Sequence, residues 1–163
     1  MAARKKSPRK TSKSKPVRKA PAKKTASRPS RRKPATKPVM SPLEAVARRL
    51  VAATVDPSKF VIADLYTPDC VSQEAAGEAH HGHAGIEAKA KQWEQMQTGT
   101  KWKARNVFLG RNTICIEWDA RVTLRDGRVV AMPEVAVHEI RNGKIARERF
   151  YYDPMALMPP SGS

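Results

Sequence analysis

Two dipeptides, Asp126-Gly127 and Asn142-Gly143, limit what this chain can fold into more than any other feature. Each lies between stretches in which apolar and polar residues alternate, so each reads as the turn of a β-hairpin. A two-residue type I′ turn needs φ > 0 at both central positions, which Asn-Gly and Asp-Gly supply. Two-residue turns also fix the register. Around Asn142-Gly143, Val137 is expected to face Glu148, Val135 to face Phe150, and Pro133 to face Tyr152. Around Asp126-Gly127, Leu124 is expected to face Val129, Val122 to face Ala131, Trp118 to face Val135, and Ile116 to face Val137. Cross-strand partners share a face. Ile116, Trp118, Ala120, Val122, Ala131, Val135, Val137, Phe150 and Tyr152 therefore make one apolar row, and Glu148 is the acid within it. Glu134 and His138 fall on the opposite face with Arg147 and Arg149, read as surface or interface. Pro133 cannot donate to a ladder, so it marks a place where a bulge would shift the pairing before it.

Upstream, Ser41-Pro42-Leu43-Glu44 is a helix start, with Ser41 as N-cap, Pro42 at the first position and Glu44 closing a capping box. Leu43, Val46, Ala47, Leu50, Val51 and Thr54 continue it as one stripe. Asp56-Pro57 caps a short second helix with Phe60, Val61 and Leu65 toward the core. Cys70–Gln73 reads as a brief strand and Glu78–His83 as a polar loop. Ala84–Gln97 reads as a helix with Ile86, Ala90, Trp93 and Met96 on one face. Strands follow at Lys101–Leu109, Asn112–Leu124, Val129–Ile140 and Lys144–Tyr152. Gly110-Arg111-Asn112 is a two- or three-residue loop, and the difference sets the face of Trp102 and Phe108. The order predicts an α+β domain: a cone-shaped, curved antiparallel sheet packed against three N-terminal helices, with a pocket between them.

The charge is uneven. Residues 1–40 carry 16 of the 32 Lys/Arg and none of the 15 acids, so the body is nearly neutral. This stretch has no aromatic residue and six prolines, and is expected to be disordered when free. Its Lys/Pro/Ala/Ser texture resembles linker-histone tails, and Ser7-Pro8-Arg9-Lys10 resembles units that sit in A/T-rich minor grooves. Arg4, Lys5, Lys6, Arg9, Lys10, Arg31, Arg32 and Lys33 are the residues expected to contact nucleic acid, through phosphate neutralisation. The expected layout is a tail at 1–40, a folded domain at 41–156 and a short flexible C-terminus at 157–163. Two cysteines make no disulfide framework, no apolar run spans a membrane, and no secretory signal is legible. A cytoplasmic, nucleoid-associated protein is expected.

LYTPDCVSQEAAG, HHGHAGIEAKAKQW and EVAVHEIRNGKIARERFYYD together resemble the SnoaL-like branch of the nuclear transport factor 2 / ketosteroid isomerase superfamily. The marks are the Tyr66…Asp69 corner, Gly82…Ile86, Asn142-Gly143-Lys144-Ile145 and Phe150-Tyr151-Tyr152, over about Pro42–Pro154. The resemblance implies a cone-shaped pocket and commonly a homodimer. It implies no single chemistry, since members include isomerases, cyclases, dehydratases, epoxide hydrolases and adaptors. An ungapped alignment puts Glu74 where the isomerases hold their general base. It puts Leu50 at their oxyanion-hole tyrosine, and Val135 or Ala136 at their oxyanion-hole acid. Neither of those positions can donate a hydrogen bond, which argues against steroid isomerisation. The catalytic aspartate of the epoxide-hydrolase branch falls at Phe150, which argues against that reaction too.

Two catalytic candidates follow, each with a bland counterpart. Glu74 is a proton-transfer carboxylate or a solvated loop residue. Glu148 is the pocket's acid or base beside Tyr152, or a structural acid bonded to the backbone or to a buried arginine such as Arg105. His83 is expected at the pocket mouth, at the start of the third helix. Trp93, Trp118, Phe150 and Tyr152 read as core first and ligand contacts second. His80, His81 and His83 lack the spacing of a metal site, and no metal or cofactor is expected. Two functions stay open: an apolar small-molecule pocket with acid/base lyase or isomerase chemistry, or a filled, non-catalytic dimeric adaptor.

Overall fold

Ser41 opens the first helix as its sequence demands, its Oγ accepting the Glu44 N–H at 3.1 Å. In the computed structural model, which describes residues 40–74 and 76–158, that helix is α1, Pro42–Val55. The basic tail and its expected nucleic-acid contacts lie outside the described residues. A 3-10 turn, Pro57–Lys59, and the single-turn helix α2, Ile62–Leu65, follow. Only Leu65 of that segment is buried. Phe60 and Val61, expected toward the core, are exposed, because the chain turns away after Asp56 instead of continuing one helix. Strands β1 (Tyr66–Glu74) and β2 (Ala79–His81) precede α3 (Gly82–Met96). Strands β3 (Gln97–Leu109), β4 (Thr113–Leu124), β5 (Val129–Arg141) and β6 (Lys144–Tyr151) complete the domain. The architecture is α+β, a six-stranded, curved and unclosed sheet packed on helices. None of the described helices is long and apolar enough to cross a membrane.

The strand order is β2-β1-β6-β5-β4-β3. One junction departs from the expected antiparallel sheet. β1 and β6 run parallel, setting Ser72 beside Glu148 and Glu74 beside Phe150.

The Asn142-Gly143 turn forms as expected, with φ of 53° and 74° and Arg141 opposite Lys144. The Asp126-Gly127 turn does not. Gly127 alone has positive φ there, at 87°; its N–H donates to the Leu124 carbonyl at 3.0 Å, and the Leu124 N–H donates to the Arg128 carbonyl at 2.8 Å. That is a three-residue loop closed by a left-handed glycine. The Asp126 carboxylate accepts the Arg128 N–H at 3.0 Å, an Asx-type bond that favours this shape over the two-residue turn. Val122 therefore faces Val130, Ala120 faces Met132, Trp118 faces Glu134 and Ile116 faces Ala136. Pro133 introduces no break and pairs with Asp119 in continuous register.

A second slip follows on β6. The register shifts between Ile140 and Glu139, leaving Ala146 as the extra residue, so His138 faces Glu148 and Ala136 faces Phe150. Ile145 and Glu148 are both buried although three positions apart, which no regular strand allows. The two slips cancel between β4 and β6, so Glu148, Phe150 and Tyr152 keep the face of Trp118. Only β5 is turned over. Glu134, Ala136 and His138 point in, and Ala131, Val135 and Val137 point out. Val135, expected to line the pocket, is 37% exposed. His138, expected at the surface, is buried.

At the other hairpin, Gly110 N–H meets the Thr113 carbonyl at 2.8 Å around a two-residue loop. Trp102 turns inward, 5.7 Å and edge-on from Trp118, and Phe108 is left 53% exposed. The main core joins Val46, Ala47, Leu50 and Ala53 of α1 and Ile86 of α3 to Ile114, Ile116, Trp118, Ala136 and Ile145. Truncating one of these isoleucines to Ala costs ~2–5 kcal/mol. A smaller cluster of Ala120, Val122, Leu124 and Met132 takes Trp93, Tyr152 and Leu157 at its margin. Leu157 belongs to a last 3-10 turn, Pro154–Leu157, held where the Arg128 guanidinium donates to the Met158 carbonyl at 2.9 Å.

Candidate functional site

The parallel β1–β6 junction and the inverted β5 bring the polar inward-facing residues together. Glu148 is 2% exposed, and every side of its carboxylate is used. The Tyr66 hydroxyl donates to it at 3.0 to 3.1 Å and the Ser72 hydroxyl at 2.8 Å. His138 Nδ1 stands 3.2 Å from its other oxygen. Burial pushes the Glu148 carboxyl upward, but the His138 hydrogen bond and charge, the Lys89 charge and the Ser72 bond outweigh it, so the group sits below its ordinary range. Tyr66 is pushed well above the usual phenol range, by burial and then by the Glu148 charge. Arg105, the expected partner of Glu148, is elsewhere. It bulges out of β3 and pairs with Asp119 at 2.6 Å.

Lys89 links this buried cluster to the open side. Its Nζ lies 2.8 Å from Glu74 Oε1, 3.0 Å from Ser72 Oγ and 4.0 Å from Glu148 Oε1. The same ammonium sits 3.6 Å from the centre of the Phe150 ring. Glu74, at the end of β1, keeps 29% of its side chain accessible. Beside it, Tyr152 is pushed up to about 12, by burial, then by the charge of Glu74 and a hydrogen bond to it, and by Glu134.

Glu134 is the unexpected member. It is 7% exposed, directly across from Trp118, and has no ion-pair partner among the described residues. Burial and the charges of Glu74 and Glu148, only partly offset by Lys89, push its carboxyl up to about 8.

Of the remaining sequence candidates, Leu50 is core. His83 lies at the start of α3, its Nε2 3.3 Å from the Tyr66 carbonyl oxygen. Trp93 is half-buried and packs, like Tyr152, against the smaller core cluster. His80 and His81 belong to β2, and the described residues bring no three metal-ligating side chains together. An open cavity of about 620 Å3 lies away from this cluster, between α1 and the end of β3, lined by Ala47, Val51, Val55, Ala104, Val107 and Leu109 among others.

Lys89 was legible and overlooked. It falls three residues after Ile86 and four before Trp93, inside the apolar stripe of α3. Glu134 and His138 were lost to the register slip.

The sequence model of the SnoaL-like domain family matches residues 47–148 of the 163. None of the curated proteins matches the chain. Among solved structures, an NTF2-like protein of unknown function from Burkholderia pseudomallei is 21% identical with a TM-score of 0.63, covering 70% of this chain and 92% of its own. A candidate SnoaL-like polyketide cyclase from Mesorhizobium loti is 22% identical with a TM-score of 0.56, covering 66% and 97%. TerC, crystallised with polyporic acid, is 19% identical with a TM-score of 0.63, covering 71% and 95%. At these identities the likeness is one of fold.

Proposed function

The chain belongs to the SnoaL-like domain family, and from that premise we propose that its inner sheet face binds a small molecule and moves a proton on it, with Glu74 as the base. The observation that carries this is the Glu74–Lys89 pair, a partly accessible carboxylate held at 2.8 Å at the rim of a saturated polar core. In this reading Glu74 takes a proton from an acidic carbon of the bound molecule. The charge left behind moves onto the molecule's oxygen, where the Tyr152 hydroxyl, protonated at neutral pH, is a donor. Glu148 then serves as the fixed anion that orients Tyr66, Ser72, His138 and Lys89. TerC, of the same fold, was crystallised with a small molecule, which supports binding in this class.

The test is α-proton exchange. Wild-type protein in deuterated buffer, given a panel of cyclic ketones and followed by NMR, is expected to exchange their α-protons faster than buffer. Glu74→Gln is expected to lower that rate by about 10² or more. Buffer-level exchange by wild type, or an unchanged rate in Glu74→Gln, sinks the reading.

The basic stretch at 1–40 is proposed to tether this domain to nucleic acid, and the outward sheet face, with Val135 and Tyr151 exposed, to pair two copies. One series reads both. The full chain and a chain beginning at Ser41 are each expected to scatter light as dimers. Only the full chain should shift duplex DNA at low salt, and that binding should collapse as salt rises. Equal shifts by both chains refute the tether, and monomer mass refutes the pairing.

A further inference from the structure

We propose that Glu134 is the anchoring anion for a ligand bearing a positively charged amine, held between that side chain and the rings of Trp118 and Tyr152. The proposal rests on the inner face being a small-molecule site, and not on proton transfer by Glu74.

A side chain this buried seldom leaves its carboxyl unpaired, because losing water without gaining a partner is costly. The Glu134 oxygens keep a little accessible surface, since the enclosed polar atoms without a partner among the described residues are Gln97 Oε1 and Thr100 Oγ1. Glu134 has no partner among the described residues, although the Lys89 charge reaches it. Lys89 is committed to Glu74 at 2.8 Å and to Ser72 at 3.0 Å. His138 is committed to Glu148 at 3.2 Å. Glu74 and Glu148 thus share the one ammonium of Lys89, and Glu134, which feels both of their charges, is left without a cation of its own. The charges that reach it from neighbouring elements are Glu74 of β1, Lys89 of α3 and Glu148 of β6, with the Tyr152 hydroxyl in range. That balance repels a carboxylate or phosphate and attracts a cation.

The aromatic neighbours of Glu134 agree with the charge. Trp118 is the direct cross-strand partner of Glu134 and stands edge-on to Trp102 at 5.7 Å. Aromatic faces stabilise ammonium groups, most strongly where water is excluded. The fold already uses this chemistry a few residues away, where the Lys89 ammonium lies 3.6 Å over the Phe150 ring. Glu134, pushed up to about 8, is protonated at neutral pH. An arriving ammonium favours the ionised form, so binding below that pH releases a proton to solvent.

The probes are phenyltrimethylammonium and its uncharged carbon isostere, tert-butylbenzene, titrated into the full chain with the tryptophan indole N–H signals followed by NMR. The cation is expected to bind about tenfold or more tightly than the isostere, and Glu134→Gln to remove most of that difference. Equal affinity for the two probes means a neutral ligand pocket and overturns the proposal. So does no binding of the cation, or cation affinity unchanged in Glu134→Gln. The wild-type comparison of the two probes stands even if the variant is misfolded. Failure of the ketone exchange overturns only the assignment of Glu74 as base; failure of charge-selective binding overturns only the assignment of Glu134.

Discussion

Glu134→Gln is expected to free the domain of a stability loss that wild type suffers as pH rises from about 5 to 8. The native carboxyl is held up at about 8, against an ordinary value of 4.5. Below 4.5 the group is protonated in both folded and unfolded chains, and burial carries no ionisation penalty. Above 4.5 the unfolded chain ionises while the folded one cannot, so the folded state loses ~1.4 kcal/mol per pH unit until the native group itself ionises. At pH 7 the loss is roughly 3 kcal/mol, as an order of magnitude. Glutamine cannot ionise, and the cost of its unpaired amide, about 1–3 kcal/mol, does not change with pH. The slope is therefore the readout rather than the offset. In urea unfolding at pH 5, 6, 7 and 8, the variant should gain on wild type at each step, because the other titrating groups are common to both proteins. A difference that stays flat across this range would show that Glu134 ionises freely in the folded protein.

Glu148→Leu is expected to act in the opposite direction and more strongly. It strips the acceptor from Tyr66, Ser72 and His138 and leaves Lys89 over an apolar side chain. Removing one member of a buried charged network costs ~3–5 kcal/mol, since the partners remain buried without it. For a domain of this size the melting temperature should fall by on the order of 10 °C or more. The acid limb should change as well. The wild-type carboxyl lies below its ordinary 4.5, so the stability it contributes is present above that value and drains away as pH falls through the lower, folded value. The variant has no such loss to suffer, and its difference from wild type should shrink toward low pH. Thermal melts between pH 3 and 7 test this. A mild loss, comparable to the ~1 kcal/mol or less of a surface ion pair such as Arg48–Glu44, would mean that water already reaches the cluster.

These two glutamates also show how far the sequence could be read. Apart from β2, which lies where a polar loop was expected, the order of elements, the α1 cap and the inward face of β4 and β6 were legible, because propensity and alternation act locally and agree. The face of β5 was not. It depended on whether Asp126 takes a positive φ, which its own side-chain bond to Arg128 N–H decides, and on one bulged residue, Ala146. Dipeptide statistics carry neither fact. A slip of one residue exchanges two complete faces, so Val135 and Val137 were placed inside while Glu134 and His138 were placed outside. Glu148 survived because the second slip undid the first. Its partners were a different matter. Tyr66 and Ser72 come from a strand joined to β6 in parallel, a pairing that no local pattern announces.

That parallel pairing has a consequence in time. Glu148 bonds to residues 82 and 76 positions earlier in the chain. Strand β1 is therefore expected to find its inner neighbour after the β3–β6 meander, a sequence that pulse-labelling hydrogen exchange would read. Contacts of such separation close late and slowly, since the chain between them must first be ordered. Until then Tyr66, Cys70 and Ser72 wait on an open edge, and the buried carboxylate has no shelter. The anion at the centre of the finished domain is thus expected to be among the last groups that the folding chain encloses.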